Sequence, residues 1–290
     1  MAESYSALLA WAASRLAISS DAPQLEAQAI LAHVTGHSRT WVLAHAENTA
    51  GAREAEQLVA IVGKLEAGEP LPYLLGHQEF FGLDFELTPD VLIPRPETEL
   101  LVQSAISWLR NSEGRRTVAD VGTGSGCIGI SIAVHIAHAH ILATDISRPA
   151  LEIARANAQR LGVADRIQFV ECDILPSPQD GGQVGPFMDL LCSNLPYIPS
   201  AELRALPQLA REPLLALDGG PDGLAPFRRL FALAPARMAA GGLILLEIEA
   251  RSGPAVLSLA YDAFHSASIH LHKDLAGRDR LLEIQLNGGV

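Results

Sequence analysis

The chain has 290 residues, 49% of them hydrophobic and 19% charged, a balance that provides for a large core and excludes wholesale disorder. Its formal net charge of −12 argues against non-specific binding along a phosphate backbone, which needs a basic face. Three cysteines (Cys127, Cys172 and Cys192) stand far apart without Cys-x-x-Cys spacing, and they read as buried reduced thiols of a cytoplasmic protein.

Residues 1–76 carry helical periodicity and almost no strand signal. "SYSALLAWAASRLA" puts Leu8, Leu9, Ala12 and Leu16 on one face, and Glu3 with no basic start reads as an amphipathic helix rather than a signal peptide. A second helix follows Ser20 or Asp21 as cap and stops at Gly36; a further one ends at Gly68 and Pro70. Through residue 85 there are ten acids against Arg15, Arg39, Arg53 and Lys64, an unsuitable balance for reading DNA.

Residues 77–96 change character. Phe80, Phe81, Phe85, Leu87, Val91 and Ile93 alternate with polar or turn residues, which predicts a β-hairpin linker turning around Gly82-Leu83-Asp84 and Thr88-Pro89-Asp90. A helix is expected after Pro96, with Glu97 and Glu99 favoured in its first turn; Arg95 and Glu97 are also placed to line a cleft.

Within residues 97–290 the pattern alternates strand and helix from Thr117 onward. "TVADV", "HILATD", "IQFVE", "MDLLCSN", "GGLILLEIE", "SIHLH" and "RLLEIQ" read as strands of a mostly parallel, doubly covered α/β sheet. Only a short connection separates the last two, so the last strand is expected to be antiparallel. The apolar run from Cys127 to Thr144 is broken by His135, His138 and His140 and reads as a helix followed by a strand, not a membrane span. The first two histidines fall on that predicted helix, and with no carboxylate at ligand spacing they make no metal site. Residues 176–187, rich in Gly and Pro, read as a mobile loop. Arg278 and Arg280 read as partners of nearby acids.

The stretch "ADVGTGSGCIGI" ends a strand and opens a helix. Gly122, Gly124 and Gly126, with Thr123 and Ser125 between them, allow a sharp turn and close approach of a ligand. Asp145, at the next strand end, is placed to accept from two ribose hydroxyls. Gly124, Gly126 and Gly129 also satisfy G-x-G-x-x-G, so the loop alone leaves a nicotinamide cofactor and S-adenosylmethionine both open. Asp173 is placed to meet an adenine amino group, with Ile174 against the ring.

"SNLPYIP" follows the fourth strand. The Asn194 side-chain oxygen and the Leu195 carbonyl can each accept one N–H of a planar NH2 group. Pinned in this way, the nitrogen faces a methyl donor by orientation, with no strong base. Pro196 stiffens the turn, and Tyr197 offers a ring to stack on the acceptor. An isolated Asn-x-Pro-Tyr is equally a capped turn, and its position behind a glycine loop is what favours chemistry.

Together with "LIPRPETE" (92–99), "DGGPDGL" (218–224) and "KDLAGRDR", these motifs give the chain a resemblance to the release factor glutamine methyltransferases over nearly its whole length. The resemblance implies a Rossmann-like class I methyltransferase sheet behind an N-terminal helical domain. It implies methyl transfer from S-adenosylmethionine, leaving S-adenosylhomocysteine, to the glutamine of the Gly-Gly-Gln motif in peptide chain release factors. Residues 1–76 would dock the release factor, and 97–290 would be catalytic. Gly122 to Gly126, Asp145, Asp173, Ile174 and Asn194 would hold the cofactor. Asn194, Leu195, Pro196 and Tyr197 would hold the glutamine. The family pattern is Asn-Pro-Pro-Tyr, so Leu195 departs from it: the carbonyl is kept and the backbone is less restrained. Glu249 also departs, standing where a glycine is usual. A ribosomal-protein glutamine, an adenine amine in DNA and a non-catalytic cofactor-binding scaffold are the other readings. The expected state is a monomer, with no nucleic acid or membrane partner.

Overall fold

The computed structural model describes residues 3–112, 114, 116–176, 188–206, 209 and 211–288. The expected mobile loop falls almost wholly on 177–187, outside the described residues. The chain divides into two compact units, Met1–His77 and Gln78–Val290.

The first unit is helical: α1 (Tyr5–Leu16), α2 (Pro23–Thr35), α3 (Arg39–Ala44), α4 (Ala52–Glu66) and α5 (Leu71–Leu75). Tyr5, Leu8, Ala12 and Leu16 of α1 pack on Ala27, Ile30 and Leu31 of α2, Val42 of α3 and Leu58 and Val62 of α4. Ser4 caps α1, its hydroxyl accepting from the Ala7 N–H. The start of α2 differs from expectation. Its cap position is Ala22, with Pro23 opening the helix, because the Ser20 hydroxyl is taken by the Ala22 N–H instead. Gly36 stops it in the left-handed region, as the "TGH" segment predicts. The short helices α3 and α5 lie below the length at which periodicity is readable.

The second unit opens with the hairpin of β1 (His77–Phe80) and β2 (Leu83–Glu86). Its turn is the pair Phe81-Gly82, both at positive φ (52° and 71°), one residue earlier than the sequence suggests. The Phe81 N–H donates to the Glu99 carboxylate at 2.9 Å, which helps hold a bulky residue in this sparsely allowed conformation. From the hairpin, Phe80 and Phe85 enter the core beside Leu101, Val102 and Ala105 of α6 (Glu99–Arg110). Burial of each such ring is worth about 1.5–3 kcal/mol. A single turn of 3-10 helix, Pro96–Thr98, leads into α6.

The remaining elements are β3 (Arg116–Val121), α7 (Cys127–His135), β4 (Ala139–Asp145), α8 (Arg148–Arg160), β5 (Ile167–Glu171), β6 (Met188–Ser193), α9 (Ser200–Leu203), α10 (Ala225–Leu233), β7 (Met238–Glu247), α11 (Gly253–Ala263), β8 (Ser268–Lys273) and β9 (Asp279–Gln285). The seven strands order as β5-β4-β3-β6-β7-β9-β8, with β9 antiparallel to both neighbours. The mostly parallel sheet with an antiparallel last strand is therefore present. One helical expectation fails at its end: α7 stops at His135, so His138 lies in the turn beyond it. Arg278 and Arg280 both pair with Asp274, at 3.5 and 3.3 Å. No described helix is long and apolar enough to cross a membrane.

Chain connections reverse direction across β3 and β6, and at such a switch point the carboxyl ends of strands open a crevice. Val121 is in register with Ser193, and Ser193 with Leu246. Gly122, Asn194 and Glu247, the next residue of each, therefore come side by side at one end of the sheet.

Candidate functional site

A cavity of about 410 Å³ occupies this crevice. Of the residues singled out in the sequence, Gly122, Gly124, Asp145, Asp173, Ile174, Asn194, Leu195 and Pro196 line it. Asp90 to Leu92, Pro213 to Ala216 and Arg229 line it as well; the sequence singles out none of these for the site.

The glycine loop is shaped for a ligand. Gly122 and Gly124 have φ of 70° and 55°, and the space where a Gly124 side chain would stand is open. Thr123, Ser125 and Gly126 do not line the cavity but support it from below. The Thr123 hydroxyl donates to Asp120 at 2.6 Å, and the Ser125 carbonyl accepts from Asn157 at 3.0 Å. A side chain on Gly126 would lie 2.5 Å from Ile130, so close packing of loop on helix requires glycine there.

Asp120 was missed in the sequence. It is fully buried, and its Oδ2 accepts from Thr123 and from the Gly129 N–H at 2.9 Å. Burial pushes its pKa up to about 6 despite those two donors. Asn157 is a second omission. Its side chain exchanges hydrogen bonds with both backbone groups of Glu86 (2.7 and 3.0 Å), which ties the glycine loop to the hairpin.

Asp145 holds the rim of the cavity. One carboxylate oxygen accepts from the Gly124 N–H at 2.9 Å and the other from the Ser147 N–H at 2.8 Å. Each oxygen keeps acceptor capacity for a ribose hydroxyl. Desolvation raises its pKa against those backbone donors. Asp173 is half exposed and pairs with Arg229 at 3.4 Å, a weak solvated contact. Ile174 lies in the left-handed region, φ 64°, an outlier for a β-branched residue, and its carbonyl accepts from the buried Thr144 hydroxyl at 2.6 Å. The open glycine cradle and the doubly anchored Asp145 fit a nucleoside cofactor such as S-adenosylmethionine.

Asn194 projects from the end of β6, and its Nδ2 donates to the Thr98 hydroxyl at 3.3 Å. Thr98 in turn donates to Glu247 at 2.5 Å. Leu195 is 3% exposed and packs with Val121, Ile174 and Phe227, its side chain lying beside Gly122. The residue that departs from the family pattern thus packs its side chain in the core, and it also lines the cavity. Tyr197 is not among the residues that line the cavity. It packs against the same core, where burial, then the charge of Glu247, pushes its pKa up to about 12.

The "DGGPDGL" segment clamps this loop. Ile198 and Asp218 form a parallel bridge, the Gly219 N–H donates to the Ile198 carbonyl at 2.8 Å, and Ser200 bonds Asp218 at 2.6 Å. Arg95 does not line the cavity either; it pairs with the buried Glu212. Glu249 accepts from the Arg251 N–H and pairs with the Arg251 side chain at 2.9 Å.

Residues 7–76 match the family described as PrmC N-terminal domain, and residues 118–213 match a methyltransferase domain family. The release factor glutamine methyltransferase of Moorella thermoacetica is 42% identical over 259 residues, 89% of this chain and 89% of its own. That of Bordetella pertussis is 41% identical over 263 residues, 89% of this chain and 93% of its own. Among solved structures, a methyltransferase from Pyrococcus furiosus, 19% identical, aligns with a TM-score of 0.52 over 72% of this chain and 91% of its own, a shared fold. Identity of this extent across both units, on a class I methyltransferase sheet, means that the chain belongs to the release factor glutamine methyltransferase family.

Proposed function

We propose that this chain transfers a methyl group from S-adenosylmethionine to the side-chain amide nitrogen of the Gly-Gly-Gln glutamine in peptide chain release factors. Gly122, Gly124, Asp145, Asp173 and Ile174 hold the cofactor, which supplies, when bound, an electrophilic methyl on a sulfonium. The Asn194 side-chain oxygen and the Leu195 carbonyl accept the two amide protons of the glutamine. An amide nitrogen is a weak nucleophile, and fixing both of its hydrogens aims it without a strong base.

The observation that carries this reading is the hydrogen bond from Asn194 Nδ2 to Thr98. It occupies the donor end of the side chain and leaves the acceptor end for substrate at the edge of the cavity. Pro196 stiffens the turn behind Leu195. Tyr197, partly buried against the core beside this turn, offers its ring to stack on the planar amide. The helical unit is the docking surface for the release factor in this account. Asn194→Ala tests it: turnover should fall about 100-fold or more while cofactor affinity changes little. Turnover surviving that change would overturn the role of Asn194.

A further inference from the structure

Behind Asn194 stands a pair of buried side chains that the binding roles above do not use. Thr98 and Glu247 are each 2% exposed. Thr98 sits at the start of α6, where a threonine hydroxyl ordinarily caps the helix, yet it makes no such bond there. Its hydroxyl lies between Glu247 and Asn194 instead. We propose, on the basis of the amide-holding role of Asn194, that Thr98 and Glu247 are positioning residues that lock the Asn194 side chain with Nδ2 held inward and Oδ1 presented to the substrate amide.

The argument follows from proton inventory. A hydroxyl has one proton and two lone pairs, whereas an ionised carboxylate only accepts. Facing ionised Glu247, Thr98 must spend its proton on Oε2. Only a lone pair then remains for Asn194, and a lone pair takes Nδ2, never Oδ1. The flipped amide would set two acceptors against each other beside the buried Thr98 and Glu247, at a penalty comparable to an unsatisfied buried group. The charge on Glu247 thus dictates which end of Asn194 faces the cleft.

Protonation of Glu247 removes the lock. Its own O–H can then donate to Thr98, which frees the hydroxyl proton for Oδ1 and makes both amide orientations acceptable. Burial raises the Glu247 pKa to about 7, opposed by the Thr98 bond and by Arg280 and Arg95, and assisted by Glu97. Tyr197 and Cys127 also feel its charge, and burial holds both neutral across this range. The lock is therefore engaged above neutral pH and released below it.

The test compares wild type with Thr98→Val, Thr98→Ser and Glu247→Gln in the full-length protein. Steady-state methyl transfer to a release factor is measured from pH 5.5 to 8.5, with the 15N side-chain amide signal of Asn194 followed in parallel and assigned by its loss in Asn194→Asp. The expected result is a kcat about tenfold or more lower in T98V and E247Q, with release factor KM and cofactor Kd within about threefold. T98S should stay within about threefold of wild type. The acid limb near pH 7, and the matching titration of the Asn194 amide signal, should be present in wild type and absent in E247Q. Wild-type kcat in T98V, equal losses in T98S and T98V, or an acid limb that survives in E247Q would each overturn the relay. The amide signal reads the relay without turnover. A wild type that shows the titration yet does not methylate the release factor would overturn the proposed function and not the lock. Normal turnover with a pH-invariant amide signal would overturn the lock alone.

Discussion

Gly219 passes so close to the backbone of Tyr197 that a side chain on it would lie 2.8 Å from the Tyr197 carbonyl carbon. Gly223 approaches the same peptide from the next turn and has φ of 77°. Gly219 and Gly223 of "DGGPDGL" are thus explained by a neighbour some twenty residues upstream in the chain: they let one loop be clamped against the loop that carries Asn194. Gly219→Ala should push that loop outward. The expected outcome is a kcat loss of about tenfold and about 1–3 kcal/mol of destabilisation, with cofactor Kd little changed. Steady-state kinetics and denaturant titration of one variant check both.

Both oxygens of Asp145 accept from backbone N–H groups, one from Gly124 and one from Ser147. An amide at this position must point its NH2 at one of those donors, so Asp145→Asn disturbs the glycine loop even before a ribose is considered. Calorimetric titration should show cofactor binding weakened about 10- to 100-fold. An unchanged Kd would remove Asp145 from the cofactor site.

Leu195 packs its side chain in the core, and its carbonyl is the group assigned to the substrate amide. Truncation separates the two. Leu195→Ala should cost about 2–5 kcal/mol by chemical denaturation, the range for a buried leucine. At a temperature where the variant is folded, kcat should fall far less than in Asn194→Ala, because the carbonyl remains.

Glu247 and Asp120 have pKa values raised by burial to about 7 and about 6. A carboxyl whose folded pKa lies above its unfolded value binds its proton more tightly in the native state. Its contribution is fully present below the unfolded value, near 4.5 and 3.8, and is lost as pH rises through the folded one. Unfolding free energy should therefore decline between about pH 4.5 and 7. The decline should be flatter in Glu247→Gln, by about 2–3 kcal/mol, in urea titrations at the two ends of that window. Activity is expected to rise over the same interval, so the protein is most active where these two acids stabilise it least.

The sheet was legible in the sequence because its strands are short apolar runs bounded by turn residues, and because the glycine loop stands directly after the first of them. Asn194 stood out by position: the motif alone is also a capped turn, and its place after the fourth strand behind a glycine loop is what marked it. The supporting groups were not. Glu247 sits between Leu246 and Ile248, and an acid flanked by apolar residues in a buried strand was the available signal. Thr98 stands between Glu97 and Glu99 at the expected helix start with no signal of its own, and only three dimensions show its hydroxyl turned to Glu247. Asp120 and Asn157 belong to strand and helix patterns that hide them until the neighbouring loops are placed. Tyr197 was legible by its position in the same loop, while its partial burial against the core beside Asn194 appears only in three dimensions.

The most direct measurement is methyl transfer itself. The full-length protein is incubated with methyl-labelled S-adenosylmethionine and either a wild-type release factor, one with the Gly-Gly-Gln glutamine changed to alanine, or DNA, and the modified residue is located by peptide mass spectrometry. The account predicts one methyl on the glutamine side chain of the wild-type factor and none on the alanine variant or on DNA. Label on the alanine variant or on DNA, or no label on the wild-type factor, would contradict it.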